Sequence, residues 1–227
     1  VILEREQALS RIITELETII PQLKEKGEVP YGRITKAAAQ LLLAKVYLNY
    51  QVYTGTAPTF ADGQSKWTET IDLCDDIIGS GKYTLSTDFW KLYLADNQKE
   101  SDATETILPI IFNNAIGLKG IPWLNITLHY NQKFGSFTSI WNGCCTTPTF
   151  LATWDTTDPR YQDNRLKSQI GFNLGILVGQ QYSANGSELL TRSGSKLIFT
   201  PEFSVRNSTE AQGARVVKYA PDPTSTY

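Results

Sequence analysis

Apolar side chains recur at three- and four-residue intervals near the start of the chain, and this pattern predicts an amphipathic helix over residues 4–20. Charged residues occupy the opposite positions of the same stretch. Pro21 is expected to end or kink the helix, because its ring removes a backbone donor and clashes with the preceding turn. The apolar positions are Leu9, Ile12, Ile13, Leu16, Ile20 and Leu23.

Residues 33–53, RITKAAAQLLLAKVYLNYQVY, are apolar on nearly every side and include neither glycine nor proline. They predict a central helix that is buried on several sides, since a surface helix would show a broad polar face. The alanines of this stretch allow neighbouring helices to approach closely. Lys36 and Lys45 interrupt the apolar run, which is therefore too short for a membrane span.

A further helix is expected over residues 66–78, with one apolar stripe that we expect to face the core. Gly79 and Gly81 follow it as a stop signal. Two helices joined by a loop in a unit of this size are typical of a tetratricopeptide-type hairpin. The stripe consists of Trp67, Ile71, Cys74 and Ile78.

The later part of the chain is rich in glycine, asparagine and aromatic residues and has no sustained period. Short strands or extended segments are predicted at 105–113, 197–200 and 215–219. Long structured loops on a helical base are usually functional. The expected fold is mainly α, with residues 1–95 as a helical portion and residues 96–227 as a loop-rich, ligand-facing portion of one larger domain.

The chain of 227 residues has a net charge of −2 and no basic block, which argues against nucleic acid as a partner. It has no methionine and no signal peptide, and we expect it to be an interior part of a longer protein. Its cysteines lack the Cys/His spacing of a structural zinc site, so no metal or cofactor is expected. A disulfide between the adjacent Cys144 and Cys145 is a rare alternative to free thiols.

Catalytic constellations are scarce in the sequence. The single histidine, His129, excludes a site with two histidine ligands, and no familiar nucleophile or phosphate-binding motif occurs. Asp155 and Asp158 are the best candidates for the paired carboxylates of a glycoside hydrolase. Because they lie in a turn beside Pro159, where aspartate commonly caps the backbone, we favour a structural role for them. We therefore expect a protein that is not an enzyme.

One short stretch, residues 123–142, combines aromatic rings with neutral polar side chains. Flat rings cover the apolar C–H faces of sugars while asparagine and glutamine reach the hydroxyl groups, so the composition favours carbohydrate over phosphate or nucleic acid. The alternative is that the rings are buried as anchors of the loops. Trp67 and Trp90 are expected in the core. The predicted glycan-binding residues are Trp141, Trp123, Tyr130, Asn142 and Asn131.

Several motifs of the chain resemble, in the same order, those of the SusD/RagB family of surface glycan-binding lipoproteins of Bacteroidetes. The most specific is YGRITKAAAQLLLAKVYLNY, followed by YTGT and by a tryptophan-led helix that ends in DDIIGSGKYTL. ETILPIIFN, WDTTDPR and GARVVKYAPD come later in the chain. Together the motifs span about residues 10–222.

The resemblance implies a SusD-like α/α superhelix built on tetratricopeptide-type helix pairs, with long irregular loops and a few short β-strands. It implies non-catalytic binding of oligosaccharide or polysaccharide at the cell surface and delivery to a TonB-dependent, SusC-like outer-membrane transporter. It also implies attachment to the outer membrane through an N-terminal lipid anchor outside this chain. The alternative is a tetratricopeptide-type scaffold that binds a protein and has no direct contact with glycan.

Overall fold

The computed structural model describes residues 3–97, 104–112, 123–135 and 137–223. The chain divides into two compact units. Unit 1 contains the described residues 3–85 and 104–112, and unit 2 contains the remaining described residues from 86 onward. The division that the sequence suggested, after residue 95, stays a prediction.

The elements of unit 1 are the helices α1 Arg5–Ile19, α2 Lys36–Leu48, α3 Tyr50–Thr54 and α4 Trp67–Gly79, with a 3₁₀ turn Ile20–Gln22 after α1. The helix predicted over residues 4–20 is confirmed, and Pro21 lies in the turn that ends it. The helix predicted over residues 33–53 is divided, because Asn49 leaves the helical conformation between α2 and α3. Among the described residues, no helix has both the length and the hydrophobicity to cross a membrane.

Helix α2 is the centre of unit 1 and packs against both α1 and α4. Small buried residues such as Ala39 and Ala44 let the helices approach closely. At the contact with α1, the buried Tyr47 donates its hydroxyl hydrogen to Glu17 Oε1 at 2.6 Å. Burial first, and then this hydrogen bond, raise the pKa of Tyr47, so the phenol stays protonated as a donor.

The predicted apolar stripe of α4 does not face the core of the described residues. Trp67, Ile71 and Ile78 are all more than half exposed, and we call these three residues the α4 stripe. Ile77 is buried and Leu73 packs into the core of unit 1. The expectation that Trp67 belongs to the core is therefore wrong for the described residues. The reason is that α4 carries apolar residues on two adjacent faces, and α2 covers only the face with Leu73 and Ile77.

Unit 2 combines short helices and short strands, which are in chain order a 3₁₀ helix Phe89–Tyr93, α5 Trp123–Thr127, α6 Pro148–Leu151, β1 Gln162–Asp163, α7 Lys167–Ile170, β2 Leu174–Leu177, β3 Gly179–Gln180, β4 Ile198–Phe199 and β5 Arg215–Val217. One antiparallel sheet has the order β1-β2-β5, and β3 pairs with β4. The strands predicted near 197–200 and 215–219 are confirmed. Residues 105–112 form no strand, and Asn113 lies outside the described residues.

The central strand β2 lies where the sequence predicts no strand. All its residues are buried, and Gly175 is opposite Gln162 on one side and Val217 on the other. Gly175 has a φ of +87°, and a side chain there would overlap the backbone of Tyr161. Only glycine fits this position, so the residue that weakens the strand signal is also the one that permits the pairing.

Trp90 belongs to the core of unit 2, as the sequence predicts. The side chain is buried, and its indole N–H donates to the carbonyl of Pro159 at 2.8 Å. Its ring also meets Phe89 edge to face, with the centroids 5.3 Å apart. Buried residues of the same core include Leu128, Phe134, Ile170, Phe172, Leu174, Leu197, Phe199 and Val217.

Arg165 joins the segment that carries Trp90 to strand β1 through two carboxylates. Its Nη2 lies 2.8 Å from Asp88 Oδ1, and its Nε lies 2.8 Å from Asp163 Oδ1. Hydrogen bonds from Arg165 lower the pKa of both carboxyls. A group whose pKa is lowered on folding stabilises the protein above its unfolded pKa, and this contribution is lost as the pH falls through the folded pKa.

We expect Arg165→Met to lower the free energy of unfolding by about 1–3 kcal/mol near neutral pH, because two partly buried carboxylates lose their cation. The difference from wild type should shrink between about pH 5 and pH 2, where both carboxyls become protonated. Urea unfolding at a series of pH values measures both effects. Arg160→Met is the matched control, since Arg160 pairs with Asp158 at the surface and should matter much less. A difference that stays constant with pH would contradict this account.

Candidate functional site

The loop that ends at Trp141 is tied to helix α5. The N–H groups of Trp141 and Gly143 donate to the carbonyls of Asn125 and Ile126, at 2.6 Å each. Helix α5 begins at Trp123, so the two tryptophans come from the same small region of unit 2. Their main chains lie within about 10 Å of each other, because Asn125 is only two residues along the helix from Trp123.

Both tryptophans predicted for the site are accessible. Trp141 is 52% exposed and Trp123 is 48% exposed. Half-exposed indole rings on a fixed backbone offer flat apolar surfaces at low cost in side-chain entropy, since each ring has only two rotatable bonds. The geometry therefore suits a shallow site for a ligand with a flat apolar face.

Asn142 holds the loop in place through its side chain. Its φ of +51° is in the left-handed region, which asparagine tolerates better than most residues. Its Oδ1 accepts a hydrogen bond from Arg215 Nη2 at 2.9 Å, and its Nδ2 donates to the carbonyl of Glu210 at 3.0 Å. Each polar atom of the amide thus has a partner within the protein. A direct contact of Asn142 with sugar stays a prediction.

Arg215 is the partner that orders this loop, and it is almost completely buried. Besides Asn142, its guanidinium donates to the carbonyls of Gln212, Gly213 and Glu210. The guanidinium carbon lies 4.7 Å from the centre of the Phe199 ring. Burial lowers the pKa of Arg215 from its usual high value. Hydrogen bonds to oxygen atoms engage both Nη groups, whereas the buried Nε has no partner among the described residues.

Tyr130 lies beneath a charged side chain. The Arg192 guanidinium is 4.2 Å from the centre of its ring, a cation–π geometry. Glu210 fixes Arg192 by accepting its backbone N–H at 2.6 Å and its Nε–H at 2.7 Å. One face of the Tyr130 ring is therefore covered, which leaves less surface for a ligand than Trp141 or Trp123 offers.

Asn131 and His129 form a local network that supports this loop. Asn131 donates its side-chain N–H to the carbonyl of Leu190 at 2.7 Å and its backbone N–H to His129 Nδ1 at 3.1 Å. His129 is fully buried, and this burial lowers its pKa although Glu210 Oε1 lies 3.7 Å from Nε2. A buried, neutral imidazole of this kind fits the structural role that the sequence favoured. Contact of Asn131 with a ligand stays a prediction.

The two aspartates considered for glycoside hydrolysis cap their own turn. Asp155 Oδ1 accepts from the N–H and the hydroxyl of Thr157, at 2.8 and 2.7 Å. Asp158 accepts from Arg160, and these hydrogen bonds lower the pKa of Asp158 to about 2. The bonds from Thr157 also lower the pKa of Asp155. A general acid for glycoside cleavage needs a raised pKa, so this pair is poorly suited to that chemistry.

The cysteines of unit 2 are available as thiols. Cys144 and Cys145 are free and exposed, so the alternative of a disulfide between them is not observed. In the ranges that the structure describes, no group of three or more histidine, cysteine, aspartate or glutamate side chains is arranged to hold a metal ion.

A cleft with a volume of about 410 Å³ lies between α5 and β5. Trp123 belongs to its lining, whereas Trp141 does not. Cys145 forms part of the wall and packs against Gly213, where any side chain would overlap the Cys145 sulfur. The part of the cleft that comes from β5 and the residues after it was not predicted from the sequence, although these residues lie in the GARVVKYAPD motif. The lining residues are Trp123, Leu124, Thr127, Cys144, Cys145, Thr146, Val216, Val217, Lys218 and Tyr219.

We expect Asn142→Gly to loosen the Trp141 loop without straining its backbone, because glycine adopts a positive φ freely. Each lost side-chain hydrogen bond contributes about 1 kcal/mol, so amide hydrogen exchange at Trp141 and Gly143 should accelerate by roughly tenfold or more. Asn207→Gly, at an exposed asparagine of the same unit, is the control and should leave these amides unchanged. Unchanged exchange in Asn142→Gly would show that the backbone bonds alone hold the loop.

Comparisons with known proteins agree with the motifs. No protein-family model matches the chain. Over 100 residues, which are 44% of this chain, the sequence is 38% identical to the starch-binding protein SusD of Bacteroides thetaiotaomicron, and the match covers 16% of that protein. The structure is similar to a SusD-like carbohydrate binding protein of Bacteroides fragilis, with a TM-score of 0.53 and 15% identity over 99% of this chain.

The chain spans 41% of the length of the Bacteroides fragilis protein. That similarity concerns the fold, a helical structure with a few short strands, while the match to SusD concerns the sequence. Taken with the motifs, the two findings support a likeness of this chain to the SusD-like proteins, in sequence over 100 residues and in fold over nearly its whole length.

Proposed function

We propose that the protein binds an oligosaccharide or polysaccharide at the cell surface, without cleaving it, and delivers it to a TonB-dependent outer-membrane transporter. The observation that carries the proposal is the pair of half-exposed tryptophans, Trp141 and Trp123, on a backbone tied to α5. The names of the two relatives support it, since one is a starch-binding protein and the other a carbohydrate binding protein.

In this proposal a sugar ring stacks on Trp141, and Trp123 extends the surface. Tyr130 takes a flanking position because Arg192 covers one of its faces. Asn142 and Asn131 border the site, and each already donates to a backbone carbonyl of the protein. Such a shallow site binds weakly, with a Kd on the order of 0.1–1 mM, and gains strength on a polymer through repeated contacts.

The absence of catalysis in the proposal rests on the chemistry of the carboxylates. Asp155 and Asp158, the pair that the sequence singled out, have lowered pKa values and cap a turn. A binding role without catalysis also agrees with the names of the relatives, which describe binding proteins.

We further propose the full-length fold and the membrane location that the family resemblance implies. In a full-length protein of the size of the relatives, the helix pairs of unit 1 would extend into an α/α superhelix of tetratricopeptide type. An N-terminal lipid anchor would hold the protein on the outer surface of the outer membrane. The transporter would then be a neighbour in the same membrane.

A second candidate function is a protein-binding scaffold, and one observation favours it. The α4 stripe exposes Trp67, Ile71 and Ile78 along one helix face, and unpartnered apolar faces of this kind commonly mark protein contacts. The two functions are compatible, because the stripe lies in unit 1 and the tryptophan pair lies in unit 2.

Trp141→Ala should weaken glycan binding by roughly 5- to 150-fold, because loss of one stacking ring costs about 1–3 kcal/mol. Affinity electrophoresis of the full-length protein in gels that contain single polysaccharides measures the effect. The Tm should hardly move, since the ring is half exposed. Trp67→Ala is the matched control, because this tryptophan is similarly exposed but lies in the other unit.

Two outcomes would count against this part of the proposal. Unfolding of Trp141→Ala would show that the ring is a core residue and not a platform. Absence of retardation by every polysaccharide, with the wild type folded, would leave the scaffold function as the better account.

Replacing Trp67 by Ala and Ile71 by Ser should reduce copurification of the full-length protein with its TonB-dependent transporter at least tenfold, as expected when central apolar anchors are lost. Glycan retardation should stay unchanged in this variant, and Trp141→Ala should show the reverse pattern. A Tm of the double variant clearly below that of the wild type would show instead that other parts of the same chain cover the α4 stripe.

A further inference from the structure

The cleft between α5 and β5 combines an apolar lining with two partly exposed aromatic rings. Trp123 and Tyr219 are 48% and 50% exposed, and Leu124, Val216 and Val217 line the space between α5 and β5. A sugar ring has apolar C–H faces that rest well on such a surface. The cleft is therefore large enough and suitably lined for one sugar unit.

The described side chains that line the cleft carry positive charge and no negative charge. Among the described residues that line it, Lys218 is the one charged side chain, and no carboxylate is present. The Lys218 ammonium lies 4.6 Å from the centre of the Tyr93 ring and 5.9 Å from that of Tyr219. Among the ion pairs that join described residues, none involves Lys218.

The aromatic pair orients Lys218 without neutralising it. Tyr93 and Tyr219 meet edge to face with their centroids 5.5 Å apart, and a cation near ring faces is attracted by their quadrupoles. Cation–π contacts leave the N–H donors of the ammonium available to an acceptor. An oriented cation beside an apolar surface is a suitable partner for a carboxylate on an otherwise apolar ring face.

We propose that the cleft binds an acidic sugar unit, with its ring on Trp123 and Tyr219 and its carboxylate on Lys218. This inference rests on the proposed glycan-binding function and narrows its substrate class to glycans that contain uronic acids. A neutral sugar would leave the ammonium without a charged partner while displacing part of its water, so the cleft selects the acidic unit over its neutral counterpart.

The test compares polymers that differ only in charge. Polygalacturonate and alginate are run in affinity electrophoresis of the full-length protein, each beside its carboxyl-reduced form. At least one acidic polymer should retard the wild type, and reduction of its carboxyl groups should abolish the effect. Lys218→Met should weaken this binding by about tenfold, as expected for a hydrogen bond between charged groups, and Lys218→Arg should restore much of it.

Lys133→Met is the control for non-specific attraction, because Lys133 is an exposed lysine of the same unit outside the cleft. Equal weakening by Lys133→Met and Lys218→Met would overturn the inference. Retardation by neutral polysaccharides alone, unchanged in Lys218→Met, would also overturn it but would leave the proposed glycan binding intact. Retardation by no polymer of either kind would overturn both.

Discussion

The loop of Trp141 and one wall of the cleft in unit 2 depend on the buried guanidinium of Arg215. This side chain lies in β5, yet it bonds to Asn142, which is 73 positions away in the sequence. It also bonds to the carbonyls of Glu210, Gln212 and Gly213, so it orders the turn before its own strand. Through Asn142 it fixes the loop of Trp141, and through the turn it fixes the contact of Gly213 with Cys145. One residue thus supports both the tryptophan pair and a wall of the cleft.

The sequence predicted the helices of unit 1 well because their signals are local. Periodicity and a proline were enough to place α1, and the alanine-rich run was enough to place α2. For α4, however, the pattern predicted the wrong face to be buried. Leu73 and Ile77 compete with Trp67 and Ile71 for the core, and only the position of α2 decides between the two faces. The helical periodicity of a sequence does not reveal which of two apolar faces a neighbouring helix covers.

The candidate site was predictable only in part, for a related reason. Trp141 and Trp123, which the structure shows to be accessible, were predicted because a stretch rich in aromatic and asparagine residues is visible in one window of sequence. Lys218 and Tyr219 were missed because they reach the cleft through the pairing of β5 with β2. Strand β2 itself was hidden by Gly175, whose positive φ is required by the close approach of Tyr161. Local sequence patterns do not reveal contacts between segments that are distant in the chain.

The hydrogen bonding of Arg215 also affects the electrostatics of the cleft. A carboxylate partner would neutralise the buried cation, whereas carbonyl dipoles stabilise it and leave its net charge in place. A charge in a poorly polarisable interior acts over a longer range than one in water. Arg215 and Lys218 flank Val216 and Val217, which line the cleft, so both cations contribute positive potential at this wall. Arg215 therefore both orders the Trp141 loop through Asn142 and makes the neighbouring cleft more favourable for an anion.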